Sequence, residues 1–339
     1  MPTTVMRAVV LTEPGPVENL VLQNVPMPQP RPGWVLIQVM AFGLNRSELF
    51  TRLGFSGDAV SYPCVLGIEA AGVVVDAPGG EFTPGQQVVT MMGGMGRSFD
   101  GGYAEYTCVP AGQVIPIDTD LPWQVVGAVP EMLQTAYGSL TVGVDAQPGQ
   151  TLLIRGGTSS VGMAAAVLAK RRGLRVIATT RNAGKAPALE EIGVDHVVID
   201  TGTIAEQVRA ISPGGVDGAV ELVGTPTLLD TMRATRVHGT VCFTGMLSNQ
   251  WTIPDFYPMD LPRGVRLTSY SGEASDLPAD VLQGFLDDLA AGRAQIPIDR
   301  VYQLDQIQQA HSRLETGQSV GKLVVLTPAG EQASEATPN

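Results

Sequence analysis

Residues 151–162, TLLIRGGTSSVG, constrain this chain most: an apolar run passes directly into a glycine turn and then into the helix-forming stretch MAAAVLAKRRG. A buried strand, a tight turn and a helix start in succession make a cradle of backbone N–H groups that suits phosphate. In the GxGxxG fingerprint the glycines permit the turn, the approach of backbone to pyrophosphate, and the close packing of helix on strand. Gly157, Ser159 and Gly162 hold those places here, so the middle one departs from the pattern. The flanking sequence supplies what the motif lacks. Ala164, Val167 and Leu168 share one helical stripe, Gly173 stops the helix, and RVIATT reads as a second parallel strand. The segment therefore predicts a βαβ unit in which Gly157, Thr158, Ser159, Ser160, Val161 and Gly162 line a phosphate site.

At the end of that second strand a carboxylate would receive the ribose hydroxyls of NAD. This chain has Thr179, Thr180 and Arg181 there, with Lys185 one helical turn later. Hydroxyls and two cations in place of a carboxylate predict NADP(H); the plainer reading is an unligated domain with a surface arginine and lysine. Further buried strands follow in HVVID (196–200), DGAVELVG (217–224), TVCFTG (240–245) and VRLTSYS (265–271). The expectation is an α/β fold with a doubly wound Rossmann sheet of parallel strands and right-handed crossovers. Val223 and Gly224, after the fourth strand, and Thr244 and Gly245, after the fifth, fall where such sheets dock a cofactor. They also read simply as turn residues.

The remainder of the chain has a different texture. Strands such as VMRAVVL (5–11) and WVLIQVMAF (34–42) alternate with proline clusters at Pro26, Pro28, Pro30 and Pro32, which predicts a mostly β domain. In LNRSELFTRLG, Ser47 can cap a short helix that turns Leu49, Phe50 and Leu53 inward. Residues 278–291 form an amphipathic helix, and GKLVVLT returns a strand to the first domain. The expected organisation is 1–125 plus 272–327, then 126–271, with 328–339 as a disordered tail rich in Ser, Thr, Glu and Pro.

A net charge of −12 over 339 residues disfavours nucleic acid as a partner, and no stretch reaches the length of a membrane span. The amino-terminal segment is broken by Pro14 and reads as a strand, not as a signal peptide, so a cytoplasmic location is the expectation. Cys64, Cys108 and Cys242 are dispersed and form no CxxC pair, which disfavours disulfides and structural zinc.

The stretches MRAVVLTEPG, GLNRSELFTRLG, PCVLGIEAAGVV, GGYAEYTCVPAG, QTAYGSL, GGTSSVGMAAAVLAK and GKLVVL, in this order, resemble the medium-chain dehydrogenase/reductase superfamily. Within it they are similar to the zinc-independent quinone oxidoreductase branch related to zeta-crystallin. The resemblance implies a GroES-like substrate domain built from both chain ends, a Rossmann domain between them, an active-site cleft where they meet, and a homodimer paired along VRLTSYS. Zinc-containing relatives hold a metal at positions matched here by Asn45, Ile68 and Glu131, a set that cannot make a zinc site. His196, His238 and His311 lie outside those motifs. Without a Lewis acid, hydride transfer from NADPH to a quinone or an α,β-unsaturated carbonyl is the expected chemistry.

The resemblance also implies that Asn45 and Thr135 face the nicotinamide and that Lys322 lies near the cofactor. Their plainer readings are a turn residue, a helix-packing threonine and a strand-flanking charge. Tyrosines that some relatives carry are replaced by Ser56 and Phe50. The remaining proton-donor candidates are Ser47, Tyr62, Tyr137 and water, and Arg52 is either a steering cation or a solvated helix residue. Two other functions stay open: a catalytically weak, crystallin-like NADPH-binding protein, and an enoyl-thioester reductase.

Overall fold

The computed structural model describes residues 4–336, which divide into two compact units: residues up to 131 with 273–293 and 298 onward, and residues 132–272 with 294–297. The first unit begins with β1 (Val5–Leu11), β2 (Leu20–Pro26), β3 (Trp34–Gly43), α1 (Arg46–Arg52), β4 (Cys64–Val65), β5 (Glu69–Asp76), β6 (Gln87–Met91), β7 (Tyr106–Pro110), β8 (Val114–Pro116) and α2 (Trp123–Val126). Helix α3 (Pro130–Gly138) starts at its edge.

The second unit alternates strand and helix: β9 (Thr151–Arg155), α4 (Ser160–Arg171), β10 (Arg175–Thr180), α5 (Ala186–Glu191), β11 (His196–Ile199), α6 (Ala205–Ile211), β12 (Val216–Glu221), α7 (Thr225–Ala234), β13 (Thr235–Phe243) and β14 (Arg266–Ser269). The chain then returns to the first unit as α8 (Ala279–Ala290), β15 (Ile298–Gln303), α9 (Ile307–Glu315), β16 (Lys322–Leu326) and α10 (Pro328–Ala336).

In the first unit, β2-β1-β4 form a small sheet, and a larger one runs β15-β16-β3-β5-β6-β8 with β7 also paired to β3. The proline clusters separate these strands, and their inward faces supply Val9, Leu11, Val35, Ile37, Val39 and Val325 to one core. Within it Phe42 stacks on Tyr103 at 4.6 Å. This is the GroES-like unit.

The second unit's sheet runs β11-β10-β9-β12-β13-β14, and every neighbouring pair is parallel. Strand order reverses between β9 and β12, which makes the carboxyl ends of those strands the switch point. Both faces are covered by helices, so the strands carry continuous apolar runs, and Leu153, Ile177, Val198, Ala219 and Val241 share a core with Val208 and Met232. Among the described residues no helix is long and apolar enough to cross a membrane.

The tail corrects an expectation: residues 328–336 are helical, while 337–339 lie outside the described residues. Composition signalled disorder, but Thr327 anchors the segment. Its hydroxyl donates to Val39 O at 2.5 Å and accepts from the Gly330 amide at 3.3 Å. Gly330 lets α10 lie directly on β3, since a Cβ there would stand 2.0 Å from Met40 O. Gly330→Val should therefore lift α10, cost about 1–3 kcal/mol and expose residues 328–336 to protease; urea unfolding and limited proteolysis would check both.

Candidate active site

The glycine turn of the second unit is built as the fingerprint requires, with the roles redistributed. Gly156 takes the turn conformation at φ 90°. A Cβ on Gly157 would lie 2.9 Å from Ala178 Cβ, and one on Gly162 would lie 2.6 Å from Gly156 O, so helix and turn touch. Ser159 is the N-cap of α4: its hydroxyl accepts from the Gly162 amide at 3.1 Å and donates to Gly156 O at 2.8 Å. Strand β10 holds the turn from the side, because Thr179 Oγ1 accepts from the Gly156 amide at 3.1 Å and Thr179 O from the Gly157 amide at 2.9 Å. Among the described residues the amides of Thr158, Ser160 and Val161 meet no protein acceptor, which leaves them for an anion.

After β10, Thr180 is buried and its hydroxyl is tied to the backbone of Asn182. Arg181 is exposed and Lys185 is half-buried one turn on. On the other side of the switch point, buried Glu221 organises the β12 turn. Its Oε1 accepts from the amides of Val223 (2.7 Å) and Gly224 (2.9 Å) and from Thr227 Oγ1 (3.0 Å), and its Oε2 accepts from Thr231 Oγ1 (2.5 Å). The amides of Thr244 and Gly245 donate to Glu221 O, while Thr244 Oγ1 lies 2.9 Å from Ser139 Oγ. Thr135 is half-buried, with its hydroxyl donating to Gln134 Oε1 at 3.3 Å.

Sequence reasoning missed Arg155, the last residue of β9 and fully buried. Its guanidinium donates to both oxygens of Asp200 (2.8 and 2.9 Å), to Asp230 Oδ2 (2.8 Å), to Thr231 Oγ1 (3.1 Å) and to the carbonyls of Thr227 (3.1 Å) and Gly202 (2.9 Å). Burial alone would raise Asp200, yet the hydrogen bonds and charge of Arg155, with the Gly202 amide and Arg181, hold its carboxyl below the usual value. An arginine ending an apolar strand was the available signal, because a buried charge must be paired.

The first unit holds a second buried polar cluster. Lys322, fully buried at the start of β16, places Nζ 2.6 Å from Asn45 Oδ1, 2.7 Å from Glu69 Oε1 and 3.4 Å from Glu131 Oε2. Burial opposes its charge, but Glu69 and Glu131 outweigh that and raise its pKa. Glu69 also accepts the Glu131 amide at 2.8 Å, at the start of α3. Asn45 Nδ2 donates to Glu69 Oε1 (2.9 Å) and Glu48 Oε1 (3.2 Å), so every polar atom of the Asn45 side chain is engaged within the cluster. Burial, and then the charge of Glu69, push Glu48 up to about 7.

Several sequence expectations change here. Lys322 is sealed among carboxylates and flanks no solvent. Asn45, not Ser47, is the N-cap of α1, and its amide hydrogen is held by Glu48 Oε2 at 3.0 Å. Ser47 Oγ accepts from Arg97. Arg52 is fully buried, donates to Gly15 O at 2.8 Å and pairs with Glu315 of α9, so it ties α1 down and steers nothing. Tyr62 donates to Thr51 O at 3.2 Å. His311 lies 3.1 Å from Tyr103 OH, and burial, then Arg52, push it down to about 3, so it stays neutral.

Comparison with known proteins adds to this geometry. Residues 31–119 match the family model described as the alcohol dehydrogenase GroES-like domain, and residues 192–325 match the one described as zinc-binding dehydrogenase. A 2-haloacrylate reductase of a Burkholderia species is 28% identical over 96% of this chain and 100% of its own. A Schizosaccharomyces pombe protein named "Probable quinone oxidoreductase" is 26% identical over 93% and 95%. A mycobacterial protein solved in complex with NADPH superposes with a TM-score of 0.81 at 28% identity, covering 95% of this chain and 99% of that one.

The residues present do not fit a catalytic zinc. Of the positions compared with zinc ligands, Ile68 is hydrocarbon, while Asn45 and Glu131 are both turned onto the Lys322 ammonium.

Glu48 carries a pH dependence. Between the ordinary 4.5 and about 7 the folded protein keeps a proton that the unfolded chain has released, so stabilisation from this group is full at low pH and is lost as pH rises through that window. Urea unfolding across this range should show the native protein losing stability relative to Glu48→Gln as pH rises. Parallel curves would refute the assignment. Comparison with the variant cancels the opposite contribution of His311.

Proposed function

This chain belongs to the medium-chain dehydrogenase/reductase superfamily, in its quinone oxidoreductase branch, and from that premise we propose an NADPH-dependent reductase of quinones or other α,β-unsaturated carbonyls. The observation that carries the reading is the pairing of an anion cradle with cations. The amides of Thr158, Ser160 and Val161, which meet no acceptor among the described residues, fit the pyrophosphate, and Arg181 and Lys185 fit the additional phosphate at the ribose of NADPH. Val223, Gly224, Thr244 and Gly245, held by Glu221, would border the same nucleotide across the switch point. Relatives named as a 2-haloacrylate reductase and a quinone oxidoreductase, and a neighbour solved with NADPH, support the same substrate and cofactor class.

Bound NADPH supplies a hydride. The protein's contribution is to position it and to leave negative charge on a conjugated acceptor that can disperse it. Of the side-chain candidates for a proton donor, Tyr62 already donates to Thr51 O and Ser47 is held by Arg97. This favours a quinone, whose reduced form takes protons from water, over a substrate that needs a placed donor.

Stopped-flow NADPH oxidation with 1,4-benzoquinone, 9,10-phenanthrenequinone and a 2-enone tests the activity. Turnover with a quinone is expected, and tight NADPH binding without turnover of any acceptor would sink it. Arg181→Ala with Lys185→Ala should weaken NADPH binding by about 1.5–3 kcal/mol per lost charged contact and leave NADH nearly unchanged. Equal losses for both cofactors would remove the argument for NADPH.

The homodimer belongs to the same proposal. Strand β14 is the free edge of the parallel sheet and exposes Leu267. Light scattering after size exclusion should give a dimer that Leu267→Lys shifts towards monomer.

A further inference from the structure

Asn45 and Glu131, two of the positions compared above with zinc ligands, converge here on an ammonium ion belonging to the chain itself. We propose that Lys322 Nζ is the resident cation of a site built for a single cation. It is a tethered charge that keeps divalent metal out of the native protein, and its removal leaves an all-oxygen site for a hard divalent ion.

The geometry has the properties of a coordination site. Asn45 Oδ1 at 2.6 Å, Glu69 Oε1 at 2.7 Å and Glu131 Oε2 at 3.4 Å come from positions remote in sequence and meet at one point. Lys322 and Glu69 have no solvent exposure, and the ammonium is balanced by these side chains. The cage is also closed from behind: a Cβ on Gly43 would stand 2.2 Å from Lys322 Cε and 2.5 Å from Glu69 Oε1.

The position of the ammonium is set by sheet register, since β16 pairs with β3 with Val324 opposite Gly43. A second cation is kept out while Nζ sits among these oxygens, because it would meet the ammonium's like charge at close range. The donors are all oxygen, with no thiolate and no imidazole, which suits a hard ion such as Mg²⁺ or Mn²⁺ once the lysine is gone. Lys322 is in addition a positioning residue, as its bond to Asn45 Oδ1 sets which way that amide turns its Nδ2 towards Glu48 and Glu69.

The experiment uses the full chain with Lys322→Ala and Lys322→Met, stripped with chelator and titrated with MnCl₂. Free Mn²⁺ is followed by electron paramagnetic resonance and stability by thermal unfolding. The native protein should take up no Mn²⁺ at this site, and its unfolding midpoint should not move. Lys322→Ala should bind about one equivalent and regain most of the stability it lost. Lys322→Met fills the space of the ammonium without its charge and should not be rescued, and Lys322→Ala with Glu69→Gln should lose the ion.

If Lys322→Ala is unfolded when metal-free, recovery of near-ultraviolet circular dichroism on adding Mn²⁺ is the equivalent readout. A Lys322→Ala chain that neither binds Mn²⁺ nor recovers with it, or a native protein that binds Mn²⁺ as well as the variant does, would overturn the proposal. Neither readout involves NADPH or an acceptor, so this result and the reductase assignment succeed or fail separately.

Discussion

A lysine ammonium with no solvent exposure is tolerable only where oppositely charged, hydrogen-bonding groups replace the water it has lost. In the first unit that requirement draws together elements far apart in the chain. Glu69 from β5 supplies the counter-charge, Asn45 comes from the start of α1, and Glu131 marks the start of α3. Glu69 then reaches the Glu131 amide with its second oxygen. The ammonium, the Asn45 amide and the Glu69 carboxylate thus answer one another, and the cluster ties β5, β16 and the two helix starts together.

Arg155 imposes the same logic on the second unit. Its donors are used on Asp200, Asp230, Thr231 and two carbonyls, and Glu221 beside it holds the turn after β12. The residues proposed to meet a nucleotide are thus backed by a layer of buried, mutually paired charge. Removing one partner from such a layer leaves an uncompensated charge, so these positions should tolerate replacement less well than the exposed Arg181.

The sequence makes much of this architecture legible. Continuous apolar strands interleaved with helices announced the parallel sheet, proline-punctuated strands announced the β-rich unit, and the TLLIRGGTSSVG stretch located the glycine turn between β9 and α4. What periodicity could not show was pairing over long sequence separations. Lys322 and Arg155 are recognisable in the sequence only as charges at the ends of apolar strands, and their partners lie tens to hundreds of residues away. Arg52 was misjudged for the same reason: a helix cation looks solvated until α9 covers it with Glu315. The tail failed on composition, because small polar residues that usually signal disorder are also what lets a helix lie flat on a strand.

Ser159 stands where the fingerprint has glycine, and its hydroxyl bridges Gly156 O and the Gly162 amide. A glycine there would leave the turn to be shaped by whatever binds it. The serine bridge fixes that shape beforehand, so the ordering entropy is settled during folding and little of the binding energy is diverted to it. The departure from the motif thus makes the loop a preorganised receptor, at the expense of the adaptability that a bare glycine would give.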